Sequence, residues 1–289
     1  MTTVGGSWRA VLGWVTVGLV WLLVALGAIV NASGSGAGCG TAWPTCLGAW
    51  TPPPRLAADL EWAHRMGALV VTAFLAAGAG AVWRTGDAAG RRLAGVVGGV
   101  WVAQVGLGAL TVATGLPPVV VAAHDLGALA LLVAALAIAF YLRPHRVARP
   151  AESPRAWLWT TAGALAAAVL LGSYTAHLGQ ACDGLATCAT VLGWSGGGAQ
   201  PGLAHGLAVG VAFGAAVQAW RKSPRSPAGW RRWLGAASAM LALEALVGGT
   251  VLATALAPVL LGVHEVLGVT TAALAAAAAL AATWRPAAE

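Results

Sequence analysis

Charged side chains are scarce in this chain, at 9% of 289 residues, where a soluble domain carries about 25%. Lys222 is the one lysine, so almost all of the 16 basic residues are arginines. So few charges cannot coat a soluble globule of this size, which excludes an ordinary cytosolic enzyme, a disordered chain and a collagen-like protein. The basic residues form short clusters between apolar runs, which is typical of membrane topology and not of nucleic-acid binding. The sequence therefore predicts a polytopic membrane protein.

Eight apolar runs are long enough to cross a bilayer, which takes about 20 residues of helix. They are rich in alanine and glycine, and small residues let helices approach closely in lipid. The first run is too long for a typical signal peptide, so we interpret it as a retained helix. We predict an all-α membrane protein whose spans are 10–30, 60–83, 93–113, 119–142, 157–178, 201–220, 233–253 and 259–284.

Positive charge distinguishes the two sides of the predicted bundle. All basic residues except Arg55 and Arg65 lie near the chain ends or in the connections after spans two, four and six. By the positive-inside rule, both termini are predicted to be cytoplasmic in the cell membrane. The long loops at about 31–59 and 179–200 are then extracytoplasmic.

All four cysteines fall in these two long loops, as Cys39 with Cys46 and Cys182 with Cys188. Thiols that face an oxidising compartment tend to pair, so two local disulfides are predicted. A redox-active role for the first pair is the alternative. A metal clip is disfavoured because neither pair has the C-x2-C spacing and neither loop segment contains a histidine.

Regular intervals indicate an internal duplication. His64 and His205 are 141 residues apart and His124 and His264 are 140 apart, while the cysteines recur after 143 and 142 residues. The sequence thus predicts two tandem four-helix bundles, residues 1–150 and 151–289. An even number of spans per half gives both halves the same orientation, as a parallel repeat.

The four repeated histidines all lie near the outer ends of even-numbered spans. Ionisable side chains are costly in lipid and usually face the interior of a bundle. Two histidines on facing helices form the axial pair of a b-type haem, whereas zinc needs three or four converging ligands. We therefore predict one haem iron per half, bound by His64 with His124 and by His205 with His264.

One carboxylate breaks the symmetry of the repeat. Glu61 lies three residues before His64, on the same helix face, and its counterpart is Gly202. A partly buried glutamate near a haem edge can take a proton or orient a water molecule. Arg65 is placed to pair with Glu61 or with a haem propionate. The asymmetry indicates that one half serves for reaction and the other for binding.

The remaining polar residues of the spans have simpler interpretations. Asp125 and Glu265 each follow a ligand histidine, so they are expected to point elsewhere, towards loops or contacts behind the ligands. His177 is expected to form a hydrogen bond at the membrane interface. Glu244 matches Gln104 in the repeat and is expected to hydrogen-bond to a neighbour.

Two segments carry a family resemblance. Residues 61–67 (EWAHRMG) and the loop from Cys39 to Cys46 (CGTAWPTC), together with the histidine spacing, resemble the bacterial type of haem A synthase along nearly the whole chain. The resemblance implies an oxidoreductase that oxidises the C8 methyl of haem O to a formyl group, giving haem A for cytochrome oxidase. Haem O synthase and cytochrome oxidase assembly factors are the implied protein partners, and a homo-oligomer is compatible with the family.

The resemblance also implies a role for each candidate residue. Haem O as substrate would lie between His64 and His124, with Glu61 as the catalytic carboxylate. A haem b cofactor would be ligated by His205 and His264. The family's important cysteines correspond to Cys39 and Cys46, and the family's usual arginine after helix 1 is replaced by Asn31. The second loop lacks Trp-Pro, which makes its cysteine pair structural.

Two other functions fit parts of the pattern. A di-haem b electron carrier that oxidises quinol would place its haems near opposite membrane faces, but here all four histidines lie on one side. A non-enzymatic haem chaperone or transporter would have no need of Glu61.

Overall fold

The computed structural model describes residues 7–143, 146–148, 154–181, 199–222, 229–253 and 258–286. Within these ranges, eight helices are long and apolar enough to cross a membrane, so the chain is an all-helical, multi-pass membrane protein. The helices are α1 Ser7–Ala32, α2 Leu56–Trp83, α3 Ala88–Ala113, α4 Pro118–Tyr141, α5 Arg155–Ala181, α6 Ala199–Arg221, α7 Gly229–Ala253 and α8 Pro258–Thr283.

Each predicted span coincides with one helix, and local chemistry explains several helix starts. Helix α3 follows Asp87, whose side chain accepts a hydrogen bond from the Gly90 amide at 2.7 Å. Such an N-cap satisfies a backbone donor that the first turn leaves free. Helix α4 begins at Pro118, which lacks the N–H that would be unpaired there. Helix α2 begins at Leu56, earlier than the predicted residue 60.

Helices α1, α4, α5 and α8 meet at the centre of the bundle. Helices α4 and α8 are the most deeply buried, and α8 is an almost continuous run of alanine in its second half. These small side chains allow close helix contact. Helices α1 and α4 also contact closely, because a Cβ on Gly13 would lie 2.7 Å from the Cα of Ala139.

Two short strands follow the central helices. Strand β1, Arg146–Ala148, comes after α4, and strand β2, Trp284–Pro286, comes after α8. They pair antiparallel with Val147 opposite Arg285, so α4 and α8 end on the same side of the bundle. The sequence analysis predicted no strands here, and three residues are too few to show the alternating pattern on which such a prediction depends. The tandem repeat and the division at residue 150 stay predictions.

Candidate functional site

Each of the four candidate histidines packs against a glycine on the preceding helix. A Cβ placed on any of these glycines would lie closer to the imidazole ring than ordinary van der Waals contact allows. Because glycine has no side chain, each imidazole ring fits between its own helix and the preceding one. The distances from that Cβ to the nearest ring atom are 3.1 Å for Gly27 and His64, 3.0 Å for Gly108 and His124, 3.0 Å for Gly172 and His205, and 2.9 Å for Gly248 and His264.

Two of the histidines lie close together. The ring centres of His205 and His264 are 6.3 Å apart. An imidazole nitrogen lies about 2 Å from a bound metal, so one metal ion between two rings would separate their centres by about 6 Å. The spacing of His205 and His264 thus fits two ligands on opposite sides of one iron.

The ring nitrogens show which atom of each histidine is available. Nδ1 of His205 lies 2.8 Å from the carbonyl oxygen of Ala168, and since a carbonyl only accepts, Nδ1 carries the proton. Nε2 is then left with the lone pair that a metal ligand needs. The Nδ1 atoms of His64, His124 and His264 are buried without a hydrogen-bond partner in the described part of the chain.

These observations fit a haem better than a metal ion with several protein ligands. A porphyrin with two axial ligands requires a pair of imidazoles, space between the helices for their rings, and an Nε2 whose lone pair is free. Across the described ranges, no group of three or more His, Cys, Asp or Glu residues is placed to bind a metal ion together. The residues present therefore fit one haem between His205 and His264, and the same packing on glycine recurs at His64 and His124.

Glu61 lies buried beneath the first cysteine loop, with 5% of its surface exposed. Its Oε2 accepts a hydrogen bond from the Cys39 amide at 2.7 Å, and its Oε1 forms an ion pair with Arg65. The carboxylate thus connects the loop to the helix turn that carries His64. Sequence reasoning predicted the pair with Arg65 but missed the contact to Cys39, because contacts across a loop leave no periodic signal.

Arg65 holds the same loop from the other side. Its Nη1 donates to the carbonyl oxygens of Ala42 at 2.7 Å and Thr45 at 2.5 Å. The disulfide between Cys39 and Cys46 is confirmed, and both cysteines are fully buried. The pairing of Arg65 with a propionate stays a prediction. So does the pairing of the other two cysteines, which lie outside the described residues.

A partly buried polar cluster joins helices of the two halves of the chain. Nε2 of His177 lies 2.9 Å from Oδ1 of Asn31, and Nδ2 of Asn31 donates to Glu265 at 3.2 Å. Ser173 donates to Asp125 and its backbone carbonyl lies 2.7 Å from Nδ1 of His177. We call these five residues the central polar cluster.

The structure distinguishes the two kinds of contact expected for Asp125 and Glu265. Asp125 accepts a hydrogen bond from Ser173 and Glu265 accepts one from Asn31, so both contact other helices and not loops. The hydrogen bond predicted for His177 is confirmed, although its side chain is 8% exposed and lies within the bundle. Polar side chains within a membrane span cost free energy. Their presence in apolar runs was the signal by which the sequence identified these residues.

Replacing Asn31 with leucine is expected to lower the stability of the protein by about 1–3 kcal/mol for each polar group that loses its partner. His177 and Glu265 would both lose a bond to the amide. Thermal unfolding of the detergent-solubilised chain measures this, and Ile29→Leu, on the lipid-exposed side of the same helix, is the control. Equal midpoints for the two variants would contradict the role of the cluster.

Comparisons with known proteins agree with this site. Residues 55–136 match the family described as "Cytochrome oxidase assembly protein", a stretch that contains Glu61, His64 and His124. The chain is 35% identical over 183 residues to the haem A synthase of Symbiobacterium thermophilum, covering 58% of this chain and 59% of that protein. It is 42% identical over 66 residues to the haem A synthase of Bacillus pumilus, covering 22% of each.

A second kind of relative also matches part of this chain. A protein of Chloroflexus aurantiacus named protohaem IX farnesyltransferase is 34% identical over 176 residues, which cover 55% of this chain and 29% of that protein. The chain thus spans less than two thirds of the length of each of these three relatives. The match of residues 55–136 to the cytochrome oxidase assembly protein family and the similarity to two haem A synthases agree with the resemblance seen in the sequence.

Proposed function

We propose that this protein is a haem A synthase, an oxidoreductase that converts the C8 methyl group of haem O to a formyl group. The observation that carries the proposal is the buried Glu61, three residues before His64. The other half of the chain has Gly202 at the corresponding position. A carboxylate beside only one of the two candidate haem sites favours a reaction at that site over storage or transport of both haems.

The N-terminal half would bind the substrate. His64 and His124 would ligate the iron of haem O and so fix the orientation of its ring. The conversion of a methyl to a formyl group removes protons and electrons from that carbon and adds an oxygen atom. Glu61, held in place by the Cys39 amide and Arg65, is the group beside this site that can accept a proton or orient a water molecule.

The C-terminal half would bind a haem b cofactor between His205 and His264. Bound there, haem b supplies one-electron chemistry at its iron. The protein's part is to present both imidazoles at a separation of 6.3 Å and to keep Nε2 of His205 free by engaging its Nδ1 with Ala168. Gly172 and Gly248 provide the space in which these rings lie.

The membrane topology and partners belong to the same proposal. We place the cysteine loop and the four histidines at the extracytoplasmic side and both termini in the cytoplasm, on the distribution of arginine. Haem O would come from an enzyme that farnesylates protohaem. In support, the farnesyltransferase of Chloroflexus aurantiacus contains a region similar to this chain within one longer polypeptide.

Expression of the chain together with a source of haem O tests the function. We expect haem A to appear in extracts, identified by its mass and by its pyridine haemochrome spectrum, and to be absent from cells with the source alone. Purified protein should carry haem b together with haem O or haem A. Protein that contains haem b alone and produces no haem A would support the electron-carrier alternative instead.

A further inference from the structure

Helices α3 and α7 place two different side chains at the same position relative to the histidine pairs. Gln104 lies four residues before Gly108, and Glu244 lies four residues before Gly248. Each side chain also packs over a glycine of the next helix. A Cβ on Gly127 would lie 2.1 Å from Oε1 of Gln104, and one on Gly268 would lie 3.0 Å from Oε1 of Glu244. The two positions therefore match in packing as well as in sequence.

The two positions differ in charge. Oε1 of Glu244 lies 3.0 Å from Nδ1 of His264, a distance within ion-pair range. Nδ1 of His264 and Nδ1 of His124 are both buried without a hydrogen-bond partner in the described residues, so the halves differ here in the charge of the neighbouring side chain and not in hydrogen bonding. One candidate haem ligand thus has a carboxylate beside it, and its counterpart has a neutral amide in its vicinity.

A carboxylate next to a ligand imidazole changes the electronic properties of the metal. It makes the imidazole a stronger electron donor, which favours the more highly charged state of the metal. Ferric haem carries one more positive charge than ferrous haem, so the carboxylate stabilises the ferric form. This effect lowers the reduction potential, because a negative charge near the axial ligand stabilises the more positively charged iron.

We propose that Glu244 is a positioning residue that holds the reduction potential of the C-terminal haem below that of the N-terminal haem. The inference rests on the haem binding in the proposed function. The negative charge beside His264 would make the C-terminal haem the harder of the two to reduce. The neutral amide of Gln104 would have no such effect on the N-terminal haem.

Reciprocal substitutions test the inference in the full-length, haem-loaded protein. Spectroelectrochemical titration of Glu244→Gln should show the lower of two potentials raised and the other unchanged. Loss of a partner of a metal ligand usually has an effect of at least tenfold, and we expect the ratio of ferric to ferrous haem to change by at least that factor. A tenfold change in this ratio corresponds to about 60 mV, at 59 mV per tenfold. Gln104→Glu should lower the other potential instead.

Haem content separates this inference from the proposed function. Pyridine haemochrome analysis of each variant is done first, and electron paramagnetic resonance of the low-spin ferric signals then reports each ligand pair separately. Protein without haem would refute the proposed function itself. If haem is present but Glu244→Gln leaves both potentials and both signals unchanged, the inference is overturned and the function stands.

A variant that loads poorly still leaves a decisive measurement. If Glu244→Gln binds no haem in the C-terminal half, Gln104→Glu decides the matter, because it adds a carboxylate and removes none. A lowered N-terminal potential in that variant would support the inference. An unchanged potential would overturn it.

Discussion

The Glu61→Gln variant is expected to make haem A at least about 100-fold more slowly than the unchanged chain, the usual loss when a proton-transfer group is removed. Glutamine has nearly the same shape and keeps an oxygen that can accept from the Cys39 amide. It cannot accept a proton, and it loses the charge that pairs with Arg65. The rate of haem A formation, normalised to bound haem, is the measurement.

The anchoring role of Glu61 needs its own control, because the same carboxylate holds the cysteine loop. Asp59→Asn makes the same chemical change at an exposed position of the same helix and should leave the rate unchanged. Resistance of the buried Cys39–Cys46 disulfide to reductant and thiol label reports whether the loop stays in place. A normal rate in Glu61→Gln, or an equal loss in Asp59→Asn, would rule out the catalytic assignment.

Hydrophobicity alone predicted the eight helices, because a membrane span must satisfy its own backbone and so leaves a long apolar run. The histidines were found for the same reason, since a polar residue within such a run is costly and conspicuous. Their glycine partners were not found. Glycine is common throughout the chain, with 40 residues, and only the packing of two helices shows that Gly27 or Gly172 faces a ring.

The contacts between distant parts of the chain were beyond sequence reasoning. The hydrogen bond between Asn31 and His177 spans 146 positions, and no local pattern encodes a register between helices so far apart. Asn31 was noted only because the related family has arginine there. The structure shows that it bonds both to His177 and to Glu265, so its role is to join helices of the two halves.

Replacing Gly248 with valine is expected to deprive the C-terminal half of its haem. The first added carbon would lie 2.9 Å from Cε1 of His264, so the ring would have to move from its position beside His205. Overpacking of this kind costs about 1–3 kcal/mol, which corresponds to a loss of about 5- to 150-fold in affinity. Haem b per chain, measured by pyridine haemochrome after purification, should fall accordingly.

Neighbouring glycines provide the matched control for this substitution. Gly249 has open space where a Cβ would be added, so Gly249→Val makes the same change to helix propensity without touching the ring. It should retain haem b, and equal losses in both variants would contradict the packing argument.

Gly108→Val and Gly106→Val form the corresponding pair in the other half, because of these two glycines only Gly108 faces His124. If the halves divide substrate from cofactor, Gly108→Val should lose haem O and keep haem b, whereas Gly248→Val should do the reverse.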